Sequence, residues 1–331
     1  MRIRSVAAIA IAGFTLAACG GTGKTVTTRS LPDAHATTQV HVGGAPVGIA
    51  TGAGGVWVAD NAGSRVRELD TASGHPKGRG IPVGAGPVAV AYGEGYVWTA
   101  SGDGTLTRID PETDAAREAP ARIADPGGIA AGEGALWVTS RARDTVTRID
   151  PRSLEAVGDP IDAGAQPGDV AVGAGDVWVA NTADGTVTRI DPSTGEPDDP
   201  IHVAQYQVLG LCFGEDGVWV AKTDDRLAQR IELVRIDPES EAVGEVAARI
   251  PAAIPVRLAA GGGGVWATLV GGVRPPATEP RPGQVALLDA GDLSVPVKLL
   301  RAGMRPAGVA VGEGAVWIAN SGSGTVTRIG L

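Results

Sequence analysis

Short runs of small apolar residues alternate along the chain with turn-forming residues, and the alternation repeats. The clearest copy runs Asp169-Val-Ala-Val-Gly-Ala-Gly-Asp-Val-Trp178-Val-Ala-Asn181, then Thr186-Val-Thr-Arg-Ile-Asp191-Pro-Ser-Thr-Gly195; residues 307–329 nearly repeat it. Each unit parses into four strands. The first is a small-residue run such as Gly308-Val309-Ala310-Val311, and the second surrounds a Trp, as in residues 315–319. The third reads Thr-Val-Thr-Arg-Ile, and the fourth is a short segment such as Gly80-Ile81-Pro82-Val83. Gly-Glu-Gly, Asn/Ser/Asp/Gly and Asp-Pro-x-Thr-Gly segments separate them. These supply positive φ, local side-chain hydrogen bonds and fixed φ, as tight turns require.

All seven Trp fall in the second-strand phrase, at 57, 98, 137, 178, 219, 266 and 317. The spacings are 41, 39, 41, 41, 47 and 51. A period near 40 with four short strands per unit predicts an all-β, seven-bladed β-propeller of four-stranded blades. Small residues in the first strand suit the crowded hub, and the Trp suits packing between blades. The last repeat stops after its third strand, Thr325-Val-Thr-Arg-Ile329. A lone fourth-strand signal, Gln39-Val-His-Val-Gly-Gly-Ala-Pro46, precedes the first repeat and is expected to complete the last blade, closing the ring. The propeller is assigned residues 37–331.

Composition narrows the class. Gly is 50 of 331 residues without a three-residue period, which excludes collagen. A hydrophobic content of 43% excludes a disordered chain. The net charge of −9 argues against nucleic-acid binding. Two Cys exclude a disulfide scaffold. Cys212, within Leu209-Gly-Leu-Cys-Phe213, reads as a buried free thiol.

The first 36 residues read as an address. Residues 1–18 combine Arg2 and Arg4 with an apolar run too short for a comfortable membrane span, and they read as a signal peptide. Leu16-Ala17-Ala18-Cys19-Gly20 resembles the bacterial lipobox, which implies cleavage before Cys19 and lipidation of its thiol. Residues 19–36 then form a lipidated Cys and a flexible polar tether. The Gly20-Gly-Thr-Gly-Lys24-Thr25 phrase matches a relaxed phosphate loop, but it lacks the flanking strand and helix that such a loop needs.

The Val-Trp-Val-Ala-Asn and Thr-Val-Thr-Arg-Ile-Asp copies resemble bacterial seven-bladed propellers of the YVTN and NHL repeat type, including virginiamycin B lyase-like proteins. The resemblance covers residues 37–331. It implies the fold and leaves function open, because propellers host many functions. Lyases of that group use a His and acidic residues with a divalent metal. None of His35, His41, His75 and His202 falls on a first strand or an inserted loop, so that chemistry is not carried over.

What repeats reads as scaffold. Arg108, Arg148, Arg189, Arg235 and Arg328 recur on the third strand, each Arg expected to pair locally or coat its blade. Asp110, Asp150, Asp191 and Asp237 follow and read as turn caps, while Glu94, Glu133 and Glu313 read as a solvated acidic face. Asn61, Asn181 and Asn320 read as turn formers.

What departs reads as the candidate site. From Trp to the following Asp, the first four blades take 12 or 13 residues, blade 5 takes 18 and blade 6 takes 23. The insertions, around 222–230 and 270–283, lie between second and third strands. On the same face, the turns leading into the first strands carry Pro87, Pro126 and Pro167 in early blades. They become Gln205-Tyr206-Gln207 before blade 5, include Arg257 before blade 6 and become Met304-Arg305 before blade 7. The candidate binding face therefore comprises Gln205, Tyr206, Gln207, Lys222, Asp224, Asp225, Arg226, Arg257, Arg274, Arg281, Met304 and Arg305.

The function expected is a membrane-anchored, extracytoplasmic binding, scaffold or sensor module. It would act as a monomer on an envelope protein or glycan, with no catalytic residues and no cofactor. Asp224-Asp225 is the one weak candidate for Mg²⁺ or Ca²⁺. The alternative is a metal-assisted lyase or lactonase at the central channel. The closure argument is testable: deleting residues 37–43 should lower the thermal midpoint far more than deleting 20–36, and equal effects would contradict it.

Overall fold

The computed structural model describes residues 35–214, 217–224, 230–251, 257–270, 282–294 and 296–331. Regular structure there is entirely β: seven antiparallel sheets of four strands stand in a ring. Blade 1 runs from its hub strand, Pro46–Gly52, through Gly55–Asp60 and Arg65–Leu69 to an outer strand, Pro76–Pro82. Each later blade repeats that order. In blade 7, Pro306–Gly312, Ala315–Asn320 and Thr325–Gly330 are joined by the N-terminal strand His35–His41, which pairs Thr38 with Arg328 and His41 with Thr325. Hub strands touch from blade to blade, and the hub of blade 7 touches that of blade 1.

Outer strands are the least regular element. In blades 3 and 4 they shrink to Ile161–Asp162 and Ile201–His202. Pro160, Pro197 and Pro200 explain this, because Pro donates no N–H to a ladder.

Each Trp is at most 1% exposed, and each nucleates a separate apolar cluster with the next blade. Trp57, for example, packs with Val90, Val97 and Ile109 of blade 2; Trp317 packs with Ile49, Val56 and Leu69 of blade 1. Burying one such ring contributes about 4–6 kcal/mol before ordering costs. The buried indole N–H also needs an acceptor. In all seven blades it donates to the carbonyl of the Gly five residues earlier, at 3.0–3.2 Å: Gly52, Gly93, Gly132, Gly173, Gly214, Gly261 and Gly312.

Those glycines end the hub strands, and each closes against the next hub. A Cβ on Gly52 would sit 2.0 Å from the Tyr92 ring, and one on Gly173 would sit 2.0 Å from the Phe213 ring. A Cβ on Gly93 would lie 2.5 Å from the Ala131 carbonyl. The same residue thus accepts the Trp and leaves room for the neighbouring blade.

The repeated Arg does more than pair within its own blade. Arg108 donates to the Pro151 carbonyl of blade 3 at 2.7 Å, and Arg328 donates to Thr71 of blade 1 at 3.3 Å. Arg189 stacks over Trp178, pairs with Asp176 at 2.8 Å and reaches Glu241 of blade 5 at 2.9 Å. The Arg therefore lashes each of these blades to the turn of the next. The repeated Asp caps that turn: Asp150 accepts the N–H groups of Arg152 and Ser153, which hold its carboxyl below the ordinary range.

Trp178→Phe removes one indole donor and part of one ring. It should cost about 2 kcal/mol in chemical denaturation, whereas Val157→Ala on the exposed outer edge should cost under about 0.5 kcal/mol.

Candidate functional site

Two sets of turns share one face. The turn between second and third strands hydrogen-bonds to the turn leading into the same blade's hub strand. Gly102 N–H donates to Gly86, Arg141 to Asp125, Thr182 to Gln166 and Ser321 to Arg305, at 2.8–3.1 Å. Neighbouring blades are tied there as well: Gln166 N–H of blade 4 donates to Asp144 of blade 3 at 2.8 Å. Functional loops set on this face rest on a braced platform.

The expected binding residues sort unevenly on it. Gln205, Gln207 and Arg305 are exposed; Tyr206 and Met304 are half-buried. Arg305 occupies the left-handed turn position (φ 53°) that Asp125 and Gln166 hold in earlier blades. Blade 6 separates the Gln205–Gln207 turn from the Met304–Arg305 turn, so these do not form one cluster. Lys222 is buried and turned inward, pairing with Asp224 at 2.6 Å and Glu232 at 3.6 Å. Asp224 also accepts the Gln205 N–H at 2.7 Å, as Asp103 does for Ala85 and Asp184 for Ala165. Both residues are thereby engaged in bracing the turn. Part of the blade 5 insertion is absorbed by longer strands, Gly217–Thr223 and Arg230–Ile236. Cys19, Asp225, Arg226, Arg274 and Arg281 lie outside the described residues.

The same face opens onto the axis. Hub residues of all seven blades line a cavity of about 350 Å³. The third hub position, near the mouth on this face, reads Gly48, Ala89, Gly128, Asp169, Gly210, Arg257 and Gly308 around the ring. Small residues are needed there, since a Cβ on Gly48 would lie 3.1 Å from the Val90 nitrogen. Only blades 4 and 6 break the rule, and both carry charge. Asp169 accepts the N–H of Val170 at 3.2 Å and of Leu211 in blade 5 at 3.4 Å. The Arg257 backbone exchanges two bonds with Thr268, at 2.9 and 3.0 Å. Burial pushes the Asp169 carboxyl above the ordinary carboxylate range, and the Arg257 charge and the two N–H donors only partly pull it back. Cys212 is the free, buried thiol expected, and it lines the same cavity. Burial, then the Asp169 charge, raise its thiol far above the usual value, so it stays protonated.

Sequence reasoning placed Arg257 in a turn and passed over Asp169, which stood inside the best copy of the repeat. Aligning the seven first strands column by column carries the signal: a charge where five blades hold Gly or Ala. Among the described residues, no three His, Cys, Asp or Glu side chains gather closely enough to share a metal ion. His41, His75 and His202 lie away from the cavity lining.

No protein-family model and no curated protein matches the chain. Solved structures do. Virginiamycin B lyase from Staphylococcus aureus matches with a TM-score of 0.70 at 16% identity, over 89% of this chain and 99% of that one. The chain is a propeller similar to virginiamycin B lyase. A catalytically inactive form of that enzyme with quinupristin matches at 0.69 and 17%, over the same shares. Kuenenia stuttgartiensis hydrazine synthase matches at 0.69 and 17%, over 93% of this chain and 99% of that one. At such identities the likeness is one of fold, and two different chemistries share it.

The sign of the Asp169 shift gives a prediction. Its folded pKa is raised, so the ionised form opposes folding above the unfolded pKa. That cost disappears as pH falls below the unfolded pKa. Asp169→Asn should therefore raise the thermal midpoint at pH 7, with the gain shrinking toward pH 4. A variant that is less stable at pH 7 would contradict this.

Proposed function

We propose that the chain is a membrane-anchored, extracytoplasmic binding module that engages an envelope protein or glycan through the face of blades 5 to 7. One observation carries the reading: departures from an otherwise strict repeat converge on one face of the ring. The insertions of blades 5 and 6, the turn changes at Gln205–Gln207 and Met304–Arg305, and the charged hub positions all fall there. A rigid ring with local expansion at one face is the arrangement expected of a recognition surface. Gln205, Gln207 and Arg305 supply exposed polar contacts, with Tyr206 and Met304 between them and the core. Arg274 and Arg281, in the Pro-rich insertion of blade 6, add charge for an acidic or carboxylated partner. The lipobox at Cys19 supports the membrane anchor and the address.

The second reading, a metal-assisted lyase or lactonase in the channel, has the fold likeness on its side. The described cavity lining offers one carboxylate, one guanidinium and one protonated thiol for it, and no His.

Cross-linking in intact cells, followed by pull-down, should compare the native chain with one lacking residues 271–282. A partner captured by the first and lost by the second is the expected result. The same partner in both would place recognition elsewhere, and no partner in either would overturn the reading.

A further inference from the structure

The channel mouth carries an inference that is independent of the outer face. Asp169 and Arg257 are the two charged residues at a ring position otherwise given to Gly and Ala. They flank the blade 5 hub strand, Gln207–Gly214, and both line the 350 Å³ cavity. They act on each other electrostatically. Around them the wall is apolar, with Val47, Ile49, Val90, Ile129 and Leu211. A volume near 350 Å³ falls at the small end of ligand sites.

Neither charge is needed for the hub to close. Five blades close it with a small residue at this position, and a carboxylate there works against folding at neutral pH. Both charged groups are held in place. Asp169 is fixed by the Val170 and Leu211 N–H groups, and Arg257 by its two backbone bonds to Thr268. A carboxylate has about four lone-pair sites and a guanidinium five N–H donors, so both keep capacity beyond their contacts within the chain. A simple anion drawn to Arg257 meets the Asp169 charge, and a simple cation meets Arg257. A solute carrying both charges satisfies both, and it leaves the apolar wall for its remaining carbon.

We propose that the channel mouth binds a small zwitterion of the amino-acid type, its ammonium on Asp169 and its carboxylate on Arg257.

The test uses the full chain and the twenty free L-amino acids as probes, each with its Nα-acetyl and C-terminal amide derivatives. Thermal-shift screening is followed by titration calorimetry on any hit. At least one free amino acid should raise the thermal midpoint. Blocking either of its ends should weaken binding roughly 10- to 100-fold, because each removes a charge-assisted hydrogen bond. Asp169→Asn and Arg257→Gln should each abolish that binding. Asp169→Asn should do so while melting no lower than the native chain, which separates a ligand contact from a structural one. The blocked derivatives test the native chain directly, whatever the variants do to folding. The proposal is overturned by any of three results: no response to any free amino acid, equal binding of blocked and free forms, or equal binding of glucose or glycerol. Because these probes are small solutes, the outcome does not depend on whether the blade 6 insertion captures a partner.

Discussion

A hydrogen bond from each Trp indole to the carbonyl of a Gly five residues earlier is the interaction on which the ring depends. A Trp buried between blades without that acceptor would leave a costly unpaired donor in an apolar interface. The acceptor has to be Gly, because its α-carbon faces the next hub strand at a distance no Cβ could share. One short phrase, Gly followed five residues later by Trp, therefore sets both the sheet-to-sheet packing and the radius of the hub. The third-strand Arg adds a lash at the periphery, from Arg108 to Pro151, Arg189 to Glu241 and Arg328 to Thr71. Inner closure and outer lash use the same neighbouring blade, so most of the stability lies between sheets.

A scaffold repeated this strictly makes its exceptions informative. A change within the repeated contacts would open an interface and cost several kcal/mol. Changes accumulate instead where they cost the scaffold little: in the turns of one face and, at two blades, around the channel mouth below them. The charges of Asp169 and Arg257 are the more telling pair, because they occupy a crowded ring where charge is expensive. The turn residues Lys222 and Asp224 show the opposite case. They depart from the repeat in type, yet they serve the turn itself.

The propeller was almost fully legible in the sequence. Trp spacing marked seven blades, the Asp-Pro-x-Thr-Gly turns marked the third-to-fourth connections, and the apolar runs marked the hubs. Outer strands were less legible, because Pro160 and Pro200 shorten them in ways a repeat consensus hides. The Arg was legible as a repeat but not as a bridge, since its partner lies some forty residues on, in another blade. The site was legible by face rather than by residue. Loop length reports where a scaffold tolerates expansion, which located the turns. It does not report which side chains point at the axis. Lys222 could not be told from a surface lysine without the Glu232 that buries it, and Asp169 was masked by lying in the most regular copy.

Exchange of the seven indole N–H protons is the most direct test of this account. The chain would be labelled at Trp with ¹⁵N, and the loss of the seven indole signals would be followed in D₂O. If every blade interface is closed by the same bond, all seven should exchange slowly and together, at the rate of global unfolding. A subset that exchanges within minutes would show that some interfaces open on their own, and would contradict the claim that one repeated bond holds the ring.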